Sequence, residues 1–123
     1  MAKSVHDDVL DGALNIIRNT ANKLTVCRAQ PTTYAEANAT YKQAEVAVDS
    51  GDFTIADDAS GRKVTVAQQA DISITDSNNA THVALVDSGN SKLLYVTTCT
   101  EQALTSGNTV TVPAWKINIQ DPT

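Results

Sequence analysis

Val83-Ala84-Leu85-Val86-Asp87-Ser88-Gly89-Asn90-Ser91-Lys92-Leu93-Leu94-Tyr95-Val96 is two apolar arms around a short polar segment. Valine, leucine and tyrosine favour extended backbone. A Ser-Gly-Asn core supplies the local hydrogen bonds and conformational freedom of a reversal, so the stretch predicts a β-hairpin. Both arms are almost continuously apolar, which predicts central strands covered on two faces. Moving outward, similar runs predict strands at residues 23–28, 43–48, 63–67, 71–75, 81–86, 92–97, 108–112 and 114–119. Several alternate with a period of two, as in Leu24/Val26, Val46/Val48, Val64/Val66, Ile72/Ile74, Val110/Val112 and Ile117/Ile119. Each such pair marks one buried face of a strand.

Ser-Gly pairs punctuate these runs at Ser50-Gly51, Ser60-Gly61, Ser88-Gly89 and Ser106-Gly107. Glycine opens positive φ in tight turns and serine bonds to nearby backbone, so the pairs read as reversals between strands. Residues 29–42 show no alternation and predict either a short helical turn over 34–39, capped by Thr32 or Thr33, or an ordered loop. The fold class that satisfies these features is mainly β. It is an antiparallel sandwich or barrel-like domain of about 7–8 short strands over residues 23–123, preceded by one N-terminal α-helix within residues 1–22.

That helix is read over residues 4–19, with Ser4 as its cap, Asp7 three positions on as in a capping box, and Asp7 and Asp8 at the positive end of the dipole. Val5, Val9, Leu10, Ala13, Leu14, Ile16 and Ile17 follow helical spacing, while Asp11, Asn15 and Arg18 sit away from the stripe. Gly12 costs the helix up to about 1 kcal/mol against alanine, so docking has to stabilise it. The docking surface is either the domain's own sheet or a neighbouring subunit.

The chain has 123 residues with nine Lys+Arg against fourteen Asp+Glu, a net charge of −5. Grouped cations are what bind phosphates, and there are none, so a nucleic-acid or membrane-surface partner is not expected. The apolar runs span only a few residues, too short for a transmembrane helix. Met1-Ala2-Lys3-Ser4 leads directly into an acidic amphipathic segment, without the apolar core of an export signal. Two cysteines, Cys27 and Cys99, are too few for a disulfide scaffold and are expected as reduced, partly buried thiols. A bridge between them is left open, since both fall at or beyond predicted strand ends.

Legible chemistry is sparse. His82 alternates with Ala84 and Val86, so its ring is read as packed or hydrogen-bonded; a metal would need further His or Cys ligands grouped nearby. Cys99 with His82 forms a nucleophile pair only on paper, since no third group or oxyanion donor can be named. Asp57-Asp58-Ala59-Ser60-Gly61-Arg62 lacks the alternating oxygen ligands and closing glutamate of a calcium loop, and reads as a solvated turn. No catalytic residue, cofactor or metal is assigned, and an enzyme is not expected. Most of the five aromatics, Tyr34, Tyr41, Phe53, Tyr95 and Trp115, are read as core anchors, although Trp115, following Pro113, could instead centre an interface.

Pro31-Thr32-Thr33-Tyr34-Ala35-Glu36-Ala37, Ser60-Gly61-Arg62-Lys63-Val64-Thr65-Val66 and Ala80-Thr81-His82-Val83-Ala84-Leu85-Val86-Asp87 form a distinctive set. With them go Ser91-Lys92-Leu93-Leu94-Tyr95-Val96-Thr97-Thr98-Cys99-Thr100, Gly107-Asn108-Thr109-Val110 and Pro113-Ala114-Trp115. In this combination the chain resembles a family of small virion structural proteins of tailed bacteriophages and prophages, most similar to capsid decoration, or cement, proteins. The resemblance runs over nearly the whole chain and names no active site. It implies a protein made in the host cytoplasm that sits on the outer surface of the head. There it would bind the major capsid protein, often as a homo-oligomer at symmetry axes, and clamp neighbouring subunits. The candidate contact residues are Val5, Val9, Leu10 and Leu14 on the helix, together with Trp115. A tail, connector or fibre-associated role, or a host-surface glycan-binding module, is the alternative.

Overall fold

The computed structural model describes residues 3 to 122, so Met1, Ala2 and Thr123 lie outside the described residues. One helix, α1 (Asp7–Thr20), is followed by nine strands: β1 (Lys23–Cys27), β2 (Lys42–Ala47), β3 (Phe53–Asp57), β4 (Arg62–Val66), β5 (Gln69–Ser73), β6 (Asn78–Asp87), β7 (Lys92–Leu104), β8 (Thr109–Val112) and β9 (Trp115–Ile119). All pairings are antiparallel. The sheets are a four-stranded layer in the order β2-β1-β6-β7, a three-stranded layer β3-β4-β9 and the pair β5-β8.

These three sheets form an open barrel. β4 and β5 are two halves of one bent strand, and β8 and β9 are two halves of its partner. Val66 faces Trp115 and Gln69 faces Val112, so one register continues across the break. The ladder lapses where Pro113, which has no N–H to donate, and Ala114 face Gln68 and Ala67. β2 then joins β5 through the bridge Ala44↔Ile74 and the Thr75 N–H donating to the Gln43 carbonyl at 2.7 Å. Around the core the order is therefore β7-β6-β1-β2-β5-β8, and the ring stays open between β8–β9 and β7.

The core lies inside this ring and is built from alternate residues of each strand: Leu24 and Val26, Val64 and Val66, Ile72 and Ile74, Val83 and Leu85, and Ile117, with Leu14 of α1 at its edge. β6 is covered on both faces, as its apolar run predicts. Val83 and Leu85 face the core, while Ala84 and Val86 face a smaller cluster with Ala37 and Tyr34. Its hairpin partner differs from expectation. β7 is the edge strand of its sheet, and Leu93, Leu94, Tyr95 and Val96 are only half-buried. The hairpin tip is tied down instead. Asp87, 5% exposed, accepts from the Gly89 N–H and from Asn90 Nδ2, and Asn22 exchanges two hydrogen bonds with Ser88.

Strand Phe53–Asp57 was not among the expected elements, although Phe53/Ile55 alternates; its end merges into the Asp57-Asp58 turn, which masks it. The 29–42 segment contains a single π-type turn, Glu36–Thr40, whose Ala37 packs under Ala84 and Val86. Thr33 Oγ1 accepts from the Glu36 N–H, and Thr32 donates both its N–H and its hydroxyl to Glu36 at 2.8 Å. At the β3–β4 reversal Gly61 has φ +77°, and a Cβ there would meet the Ile119 carbonyl oxygen at 1.9 Å, so only glycine fits.

The helix begins at Asp7 and not at residue 4, and its cap is His6, whose Nδ1 accepts from the Asp8 N–H at 3.0 Å. Its apolar residues divide into two stripes one residue, hence about 100°, apart. Leu10, Leu14 and Ile17 face inward against β3, β4 and the 3-10 turn Ser50–Asp52. Val9, Ala13 and Ile16 face outward. Asp11 is not on the solvated side as its polarity suggests. Only 20% exposed, it makes a paired contact with Arg62 of β4, at 2.8 Å to Nε and 3.1 Å to Nη2.

Candidate functional site: the open seam between β7 and β8–β9

β7 outruns the straight part of its ladder. His82 pairs with Thr98 and Ala80 with Gln102, so Cys99, Thr100 and Glu101 together oppose Thr81 in a wide bulge. The bulge lifts Cys99–Glu101 away from the core, and Leu104 at the strand's end returns to it. Facing it, the kink at Pro113-Ala114 turns β8 away from β9. Two contiguous clefts of about 220 and 370 Å³ open between them, sharing Val83, Cys99, Thr100, Val112 and Pro113 in their walls. Across the seam the rings of Tyr95 and Trp115 stack at 5.9 Å between centroids and 28° between planes. This pair is offset-stacked, at a separation where aromatic pairs contribute about 0.5–1.5 kcal/mol beyond area burial.

The seam is almost free of charge. Lys116 is the one charged residue in either wall, and its Nζ is held by Asp58 at 2.7 Å. That lysine keeps the Asp58 carboxyl below the ordinary aspartate range, helped by the Ala59 N–H. Trp115 Nε1 is buried without a hydrogen-bond partner, an unsatisfied donor beside the seam. Beyond the ladder to β6, no main-chain hydrogen bond reaches β7 among the described residues, so its outer N–H and C=O groups face the seam or solvent unpaired.

Of the residues singled out from sequence, Leu10 and Leu14 are 7% and 0% exposed and belong to the protein's own core, so an intact fold withholds them from a partner. Val5 is half-buried. Val9, 66% exposed, shares the outer helix face with Ile16 at 60%, and these are the large apolar side chains left exposed among the described residues. Trp115 lies elsewhere, in the seam, so the structure does not bring the five residues together. Missed from sequence was the continuation of β7 beyond residue 97, to Leu104. The uncharged stretch Leu93–Thr100 was its available signal, obscured by reading both hairpin arms as central strands.

The thiols are free and separate. Cys27 faces His82, which faces Thr98, so Cys27 and the Cys99 region lie two strand spacings apart, about 10 Å, too far for a disulfide. Burial pushes the Cys27 thiol up, Thr25 partly opposing it, and desolvation also raises Cys99, so neither is an activated nucleophile. His82 Nδ1 lies 2.8 Å from the Thr81 hydroxyl. No group of three or more His, Cys, Asp or Glu side chains poised for a metal occurs among the described residues, and no helix among them is long and apolar enough to cross a membrane.

No family model, curated protein or solved structure matches the chain.

Proposed function

We propose that this chain is a virion structural protein of a tailed bacteriophage, a decoration or cement protein that binds the outside of the head and holds neighbouring major capsid subunits together. The sequence resemblance supplies the class. The observation that carries the mode of action is the open seam, where an uncharged apolar cleft lies beside an uncovered strand edge. Such a surface gains free energy by excluding water against another protein, and it needs neither a nucleophile nor a cofactor. The outer helix face, Val9 and Ile16, offers a second apolar contact through which copies would associate as a homo-oligomer around a symmetry axis. A chain of net charge −5 without a basic cluster suits a role on the shell's outside, away from the packaged nucleic acid.

Copy number tests this reading. Quantitative mass spectrometry of purified virions, scaled to the major capsid protein, is expected to give hundreds of copies in a fixed ratio to capsid subunits. A dozen or fewer would move the protein to the tail or connector, and absence from virions would remove the structural role.

A further inference from the structure

We infer that the seam receives an extended, uncharged peptide segment of the shell protein, which lies along the outer edge of β7 and closes the barrel. The inference rests on the decoration reading for the source of the segment, and on the seam for its chemistry.

A strand-like occupant follows from the backbone. β7 presents a row of unpaired main-chain groups, and an added strand pairs with such an edge through its own N–H and C=O groups regardless of its sequence. Side-chain selection follows from the walls. Val83, Val112, Pro113 and Trp115 accept apolar side chains, and Thr97 and Thr100 tolerate small polar ones. Charge matching fixes the rest. Lys116 is already engaged by Asp58, so a charged residue entering the seam would be desolvated without a counter-ion. The segment must be neutral where it is buried. A helix does not fit this description, because its main-chain groups are already paired and would leave the β7 edge open. The bulge at Cys99–Glu101 sets the limit of straight pairing, so the added strand runs alongside the seam and not along the whole of β7.

Two built-in handles make the test direct. Trp115 is the chain's only tryptophan, so its fluorescence reports the seam alone. Cys99 is exposed while Cys27 is buried, so a bulky maleimide applied to the native protein modifies the seam alone. The experiment titrates undecorated heads, assembled from the major capsid protein only, with the full chain in four forms: unmodified, Cys99-alkylated, Thr100→Glu and Thr54→Glu, the last at an exposed position of β3 outside the seam walls and the outer helix face. Thr100→Glu places a charge in the seam without adding bulk at Cys99. The expected result is at least tenfold weaker binding for the alkylated and Thr100→Glu forms, little change for Thr54→Glu, and a blue shift of Trp115 emission when the unmodified chain binds.

Binding that survives both seam modifications would overturn the inference and leave the decoration reading intact. No binding by the unmodified chain would defeat the decoration reading and the proposed occupant together. A free chain that sediments as an oligomer until Cys99 is alkylated would identify the occupant as a second copy, which also overturns the inference.

Discussion

The four-stranded sheet has two edges, β2 and β7, and the chain treats them differently. At the β2 edge the sheet is bridged to β5, and where β2 leads into β3 the corner is sealed by α1 with Leu14 fully buried and Asp11 clasping Arg62. At the β7 edge a bulge and a proline kink separate the layers, and one aromatic stack spans the space. Both corners contain apolar residues at β-like spacing, so composition does not separate them. What does is covalent connectivity. The chain supplies its own helix to cover one corner, whereas nothing among the described residues covers the other. An uncovered edge is a liability in a monomer, and its retention is intelligible as a docking surface.

The sharpest way to break the contrast is to excavate each corner. Leu14→Ala, at a fully buried position, is expected to cost about 2–5 kcal/mol by denaturant unfolding. Cys99→Ala, at an exposed seam position, is expected to stay within about 0.5 kcal/mol of the parent. Equal losses would mean that the seam is packed as tightly as the helix corner.

Gly61→Ala comes next. Its positive φ alone costs about 1–2 kcal/mol, and the contact with the Ile119 carbonyl forces β9 to shift. Because β9 carries Trp115, the variant is also expected to red-shift tryptophan emission, linking the reversal to the seam. An unchanged spectrum would show that the two are mechanically independent.

Asp11→Asn should lower the melting temperature by loosening α1 from β4, since the paired contact to Arg62 loses its charge. Asp57, which shares Arg62 but is 81% exposed, should matter less when mutated to Asn. Melting curves at low and high salt check this order.

The smallest effect is acid sensitivity. Glu36 is held below the ordinary glutamate value of 4.5 by the Thr32 N–H and hydroxyl, Glu45 below it by Lys23 and Lys42, and Asp58 below the ordinary 3.8 by Lys116. Each folded carboxylate binds its proton less readily than the unfolded one. The stability they contribute is therefore present above the unfolded values and lost as pH falls from about 4.5 through the depressed folded values. Unfolding titrations at pH 7 and in this acid range should show the decline, and Glu45→Gln and Asp58→Asn should each flatten it.

Much of this contrast can be read in the sequence, though unevenly. Alternation such as Val64/Val66 and Ile117/Ile119 located strands because each strand has one buried face, a local property. The helix was equally plain, but which of its apolar residues face inward was not. Leu10 and Val9 differ by one position, and only the placement of β3 and β4 decides between them. The seam was least legible. Leu93-Leu94-Tyr95-Val96 looks like a central strand, and edge status depends on strand order, a non-local property that periodicity does not carry. Trp115 drew notice because it follows Pro113, and that proline proves to be the break in the β4–β5/β8–β9 ladder.

Amide hydrogen exchange on the dilute, isolated protein tests the open corner most directly. Amides of Leu24–Val26 and Val83–Val86, in strands β1 and β6, should exchange only through global unfolding, and those of Thr97–Glu101 on the order of 100-fold faster through local opening. Equal, slow exchange in the two sets would contradict the account, because it would mean that the barrel is already closed.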